Sequence, residues 1–180
     1  LAGLFPNVRM ARMDADTTAV RGTHQKILDG LRSGDTQLLV GTQIVAKGHD
    51  FPGVQTAVVI SADQGLRMPD FRAAERTYAL LVQLAGRAGR GDTPGRVFVQ
   101  TYNPNHYALR YLDDVEAYLE RELRLRSMMQ YPPTTRLCLI RLEAVDRNKV
   151  AKVAQQLAHD LRGLSGAEVG ILGPSLAALP

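Results

Sequence analysis

A chain of 180 residues, 45% hydrophobic and with a formal charge of +4, can hold one sizeable core and a small second module, and its ordinary composition excludes fibrous and disordered classes. No apolar run approaches the ~18 residues of a membrane span, and no basic segment with an apolar core follows Leu1, so neither a membrane anchor nor a secretory signal is expected. The single cysteine, Cys138, excludes an internal disulfide and fits a cytoplasmic protein; the basic balance permits nucleic-acid binding without establishing it.

In chain order, 8–13 alternates as a strand, and Asp14-Ala15-Asp16-Thr17-Thr18 supplies turn and N-cap residues. Val20, Ile27, Leu28 and Leu31 mark one face of a helix ending near Ser33-Gly34. The apolar run at 37–40 then reads as a buried parallel strand and completes a right-handed βαβ unit. Directly after it, 41–51 reads Gly-Thr-Gln-Ile-Val-Ala-Lys-Gly-His-Asp-Phe. Open α/β sheets bind ligands at the carboxyl ends of such strands. The Thr42 hydroxyl can contact phosphate, Lys47 adds a cation, Gly48 allows close backbone approach, and Asp50 can accept from a ribose or hold an arginine. An ordinary strand-to-helix loop with a capping Thr accounts for the same residues.

After the Phe51-Pro52-Gly53 turn, 56–60 reads as a strand, and Phe71, Ala74, Tyr78, Leu81, Val82 and Ala85 form the buried stripe of a helix. That helix runs into 83–90, Gln-Leu-Ala-Gly-Arg-Ala-Gly-Arg, where Arg87 and Arg90 each follow a glycine. Guanidinium groups are the side chains best suited to a polyphosphate. Two arginines that complement a helix C-terminus before a glycine turn are the other reading. A strand over 95–101 closes an α/β set expected to form a parallel sheet with helices on both faces.

Asn103-Pro104-Asn105 marks a boundary. Leu109, Leu112, Val115, Leu119 and Leu123 then trace the apolar face of a connector helix. The charges Asp113, Asp114, Glu116, Glu120, Arg121, Glu122, Arg124 and Arg126 are expected on a solvated face with local ion pairs rather than on a dedicated DNA surface. Pro132-Pro133 ends the connector. A strand over 136–144 burying Cys138, a helix with Val150, Val153, Ala154, Leu157, Leu161 and Leu164 on one side, and a strand over 168–172 suggest a small α+β domain that needs further strands. The expected domains are 1–102, 103–133 for the connector and its Pro-Pro junction, and 134–180 for a truncated C-terminal domain.

Taken together, 41–51 and 83–90 resemble the paired elements on the second motor lobe of superfamily 2 helicases. With Ala62-Asp63, Pro69-Asp70-Phe71-Arg72-Ala73-Ala74-Glu75-Arg76, Met128-Met129-Gln130-Tyr131-Pro132-Pro133 and Leu172-Gly173-Pro174, the resemblance narrows to the bacterial primosomal replication-restart helicases and covers nearly the whole chain. It departs at Ser61, where an acidic residue is expected. The resemblance implies a RecA-like lobe over 1–102 and an ATP-dependent 3′ to 5′ DNA helicase that restarts stalled forks by binding forked and single-stranded DNA and initiating primosome assembly. It implies that Arg90 is the arginine finger, with Arg87 beside it and Gln83 positioning the water or the finger. Gly48 and Asp50 would join Arg87 and Arg90 at ATP, while Thr42, Gln43 and Lys47 hold the DNA backbone.

No Gly-x-x-x-x-Gly-Lys-Ser/Thr loop, Asp-Glu-x-His box or cysteine cluster occurs in the sequence. The resemblance puts ATP and Mg²⁺ chiefly on a first lobe upstream of Leu1 and zinc in a further module, so the fragment alone is expected to be inactive and metal-free. Expected partners are primosome proteins and single-stranded DNA-binding protein, with no membrane. The alternative is a non-catalytic DNA-binding and protein-recruiting scaffold of the primosome, if the first lobe lacks its phosphate loop.

Overall fold

The computed structural model describes residues 1–14, 22–42, 54–86 and 95–176. They divide into two compact units, Leu1–Arg126 and Ser127–Pro180.

The first unit begins with a βαβ element. β1 (Met10–Met13) pairs in parallel with β2 (Leu38–Gly41), Met10 opposite Leu38 and Met13 opposite Gly41. Parallel neighbours need a crossover, and α1 (Thr23–Ser33) supplies it. Its Leu28 packs with the fully buried Met13, and Ile27, Leu31, Leu39 and Val54 close around them. The helix ends where the sequence places it, at Gly34, whose φ of 80° suits glycine and whose N–H bonds the Leu31 carbonyl. Arg9 reaches across to donate to the carbonyls of Gly34 (2.9 Å) and Asp35 (2.6 Å), tying down the chain just past the helix end. The expected cap residues 15–18 lie outside the described residues. Gly22 precedes the helix at φ 88° without a side-chain cap, and Asp14 is taken up by Arg12 at 2.5 Å.

A second parallel pair joins β3 (Thr56–Val59) to β4 (Arg96–Val99), with Thr56 opposite Arg96. α2 (Ala62–Leu66) and α3 (Ala73–Ala85) lie between them in sequence. The two helices meet closely. A Cβ on Gly65 would fall 2.6 Å from Thr77 Oγ1, which itself donates to the Ala73 carbonyl at 2.9 Å. Tyr78 and Leu81 are buried as their spacing predicts, together with Ala73 and Thr77, while Ala85 is exposed.

This is a mixed α/β architecture, but its sheet differs from the expected one. Among the described residues the four strands make two separate two-stranded sheets, not one continuous sheet. Each pair is closed by its own crossover, and no described strand supplies a ladder between β2 and β3.

The connector also departs from expectation. Instead of one helix over 109–123, a short α4 (Tyr107–Arg110) is followed by α5 (Val115–Met128). The break falls at Asp113-Asp114, and Asp114 Oδ1 accepts the Ala117 N–H at 2.9 Å. Aspartate stabilises a helix start more than a helix interior. The apolar stripe of the sequence is not what α5 buries either: Val115, Leu119 and Leu123 are about half exposed, whereas Tyr118 and Glu122 are buried.

In the second unit, α6 (Arg147–Leu164) begins at Asp146, whose Oδ1 accepts from the N–H groups of Asn148 (2.9 Å) and Lys149 (3.1 Å). The expected strands over 136–144 and 168–172 do not form among the described residues. Alternation offers an apolar face, but a strand also needs a neighbour for its backbone N–H and C=O groups, and neither segment finds one. Leu139 and Leu172 are consequently exposed, and so is Cys138, against the expectation of a buried thiol. The tail is held instead by Arg162 Nη2, which donates to the Gly173 carbonyl at 2.5 Å.

Candidate functional site

Two of the predicted site residues can be placed. Thr42 directly follows β2 and Gln83 stands on the last turn of α3; both are exposed. They belong to different βαβ pairs, and no hydrogen bond joins them among the described residues. Gln43, Lys47, Gly48, Asp50, Arg87 and Arg90 lie outside the described residues.

The structure does show how the helix leading to the arginine string is held. At its start, Asp70 accepts the Arg72 N–H at 2.9 Å and pairs with Arg76 at 2.9 Å. One turn on, Glu75 receives Arg126 Nη2 from α5 at 2.7 Å, and the same guanidinium donates through Nε to Glu122 Oε1 at 2.7 Å. The other Glu122 oxygen accepts the Tyr107 hydroxyl at 2.6 Å. Two guanidinium groups lie over the Phe71 ring, Arg72 at 5.2 Å and Arg126 at 5.3 Å from its centroid, which adds cation–π attraction. Deeper, the rings of Tyr78 on α3 and Tyr118 on α5 stack at 3.6 Å and 2°. Phe71 and Glu75, together with Tyr78, thus meet the side chains that α5 presents to α3.

The protonation states follow from this packing. Burial alone would lower the Arg126 pKa, but Glu75 and Glu122 outweigh it and raise it, so the guanidinium stays charged. Burial first, then the Glu122 carboxylate, pushes the Tyr107 hydroxyl well above the usual phenol range. Burial raises Tyr118 and Tyr78 in the same direction, and neither hydroxyl has a hydrogen-bond partner among the described residues.

A second anchor lies at the end of β3. Ser61 adopts the left-handed conformation, φ 59°, which L side chains other than Asn and Asp rarely take. It turns the chain into α2 so that buried Asp63 meets the end of β4, accepting from Tyr102 N–H at 3.0 Å and Thr101 Oγ1 at 3.2 Å. The Tyr102 N–H lowers the Asp63 pKa most, aided by Thr101 and Arg67, against the opposing effect of burial.

Sequence reasoning missed the inner face of α5. Tyr118, Glu122 and Arg126 stand four residues apart, in helical phase with one another. That phase was a signal, masked by the Leu119 and Leu123 stripe beside it.

Residues 3–92 match the family model of the helicase conserved C-terminal domain. The chain belongs to that family. The match includes β1 to α3 and ends before β4, the strand that completes the second parallel pair. Similarity to individual proteins continues further. Replication restart protein PriA of Bacillus subtilis (strain 168) is 43% identical over 177 residues, 97% of this chain and 22% of that protein. The PriA proteins of Synechocystis sp. (38%, 97% of this chain, 21% of the relative) and Treponema pallidum (40%, 96% and 26%) are similar over the same reach. The chain therefore spans between a fifth and about a quarter of the length of these relatives. No helix among the described residues is long and apolar enough to cross a membrane.

Proposed function

We propose that this chain is the second, RecA-like motor lobe and the adjoining C-terminal segments of an ATP-dependent DNA helicase that restarts stalled replication. The reading is supported by the helicase C-terminal family and by similarity to PriA proteins along nearly the whole chain. The observation that carries it is the anchoring of α3. Locked at its first turns by Asp70–Arg76 and Glu75–Arg126 and buried along Tyr78 and Leu81, this helix ends at Gly86, immediately before Arg87. A finger works by being held in place before charge develops.

In this reading Arg90 is the finger and Arg87 its neighbour, both directed at the phosphates of a nucleotide held chiefly by a preceding lobe, with Gly48 and Asp50 beside it. The exposed amide of Gln83 suits this edge, since it can donate to a phosphate oxygen or accept from a water. ATP hydrolysis with Mg²⁺ supplies the driving free energy. Thr42, an exposed hydroxyl at the carboxyl end of a parallel strand, grips a DNA phosphate together with Gln43 and Lys47, and lobe closure moves the strand in the 3′ to 5′ sense. The remaining proposals are a cytoplasmic protein, forked and single-stranded DNA with primosome proteins and single-stranded DNA-binding protein as partners, domains divided at 102 and 133, and zinc held outside these residues.

The test is Arg90→Ala in a protein of the relatives' full length. Fingers in related phosphoryl-transfer sites contribute roughly 10³ to 10⁵ in rate, so DNA-stimulated ATP hydrolysis should fall at least ~10³-fold while strand affinity persists. Near-normal hydrolysis with intact DNA binding would overturn the finger assignment. A wild-type protein that binds DNA but hydrolyses no ATP would favour the scaffold instead.

A further inference from the structure

Between β4 and α5, within the first unit, the chain encloses an open cleft of about 290 Å³ lined by Asn105, His106, Tyr107, Arg110, Tyr111 and Arg121 among others. That is near the lower bound for ligand sites, roughly 300 Å³, and suits a single small unit rather than a large molecule. None of the cleft-lining residues is a carboxylate. Arg110 and Arg121 are exposed, and neither has an acidic partner among the described residues. His106 uses Nδ1 to accept the Ala108 N–H at 3.2 Å, so its neutral ring carries the proton on Nε2 and adds a donor. Burial lowers its pKa, opposed by the more distant charges of Glu122 and Asp63.

Three carboxylates near the cleft are already engaged, while Asp113, Glu116 and Glu120 stand exposed outside its lining. Glu122, behind Tyr107, pairs at 2.6 Å with Arg126, which it shares with Glu75. Asp114 caps α5, and Asp63 is held by Tyr102 and Thr101. Tyr107 is committed as well, its hydroxyl to Glu122 and its ring to His106 at 4.6 Å and Tyr118 at 5.9 Å. Half-buried Tyr111, packed against the Tyr78–Ala108–Tyr118 cluster, also lines the cleft as its aromatic wall. Two available guanidiniums, an N–H donor, side-chain amides and an aromatic ring form the combination that holds a nucleotide by its phosphate and its base face.

We infer that this cleft holds one phosphodiester-linked nucleotide of single-stranded DNA, a contact separate from Thr42, Gln43 and Lys47. The choice of a DNA strand as the polyanion rests on the motor reading above. The geometry independently supports an anionic phosphate ligand.

The experiment is fluorescence-anisotropy titration of a labelled oligothymidylate with a full-length protein, across a salt series, for wild type, Arg110→Gln/Arg121→Gln and Arg110→Lys/Arg121→Lys. Each phosphate contact to a single strand contributes about 0.7 to the log–log salt slope. The glutamine pair should therefore shallow the slope by about 0.7, the share of the one phosphate held in the cleft, and weaken binding about tenfold at low salt. The lysine pair should retain most of the slope, and both pairs should melt like wild type. An unchanged slope in the glutamine pair, or equal losses in both pairs, would overturn the cleft assignment. A parallel titration with labelled thymidine monophosphate distinguishes the source of phosphate: loss of mononucleotide binding with strand binding intact would overturn the strand assignment. Failure of wild type to bind the oligonucleotide at all would instead sink the motor reading on which the choice of strand rests.

Discussion

The two compact units use similar residues to very different effect. In the first, Leu81 and Tyr118 are almost fully buried, Tyr118 because Tyr78 of α3 and Ala108 of α4 close over it. In the second, an 18-residue helix and two alternating segments bury only Ala158 among the described residues, and Leu139 stands 90% exposed. Hydrophobic residues create a core only where a second surface arrives to cover them. The first unit has an unusual covering surface: its central joint is a charged and aromatic lock, Glu75–Arg126–Glu122–Tyr107 around Phe71, seated on a tyrosine stack.

The contrast can be broken most sharply at that lock. Arg126→Ala would leave Glu122 buried without its cation, at a cost of about 3–5 kcal/mol. Hydrogen exchange in α3 and α5 should accelerate accordingly, and unchanged protection would show that the lock does not hold these helices. Next in size is a matched pair of leucines. Leu81→Ala should lower the opening free energy of α3 by about 2–5 kcal/mol, whereas Leu139→Ala should stay within about 0.5 kcal/mol. Urea unfolding with exchange readout checks both, and equal effects would contradict the difference in burial.

The smallest expected effect is a pH dependence at Asp63. Its pKa is lowered in the fold, so its contribution is fully present above the unfolded value of about 3.9 and is lost as pH falls through the lower folded value. Asp63→Asn should therefore trail wild type in melting temperature at pH 6, with the gap closing toward pH 3. A gap independent of pH would remove the carboxylate from the account.

Much of the first unit was legible from pattern alone. The strands at β1 to β4, the helix ending at Gly34 and the inward Tyr78 and Leu81 follow from periodicity and turn chemistry. The connector was less legible because Leu119 and Leu123 gave a plausible stripe. What distinguished the real inner face was a cation with two acceptors waiting for it, Glu122 on its own helix and Glu75 fifty-one positions earlier, and long-range pairing leaves no local periodicity. Thr42 follows a strand and Gln83 stands on a last helical turn, as their places in the sequence suggest, and the structure adds that both are exposed. Their relation to the arginines is a matter for the proposed chemistry.

The sequence by itself determined the local elements of the two parallel pairs and the family, because helix and strand periods, glycine stops and motif spacing are properties of neighbouring residues. Tertiary structure alone decided which face of α5 is covered and that the second unit's alternating segments stay uncovered. It turned Glu122 and Arg126 from surface charges into a buried lock, and it left 136–144 and 168–172 without ladders. Burial and pairing depend on partners distant in the chain, and those partners decide whether a polar or an apolar face is the one that packs.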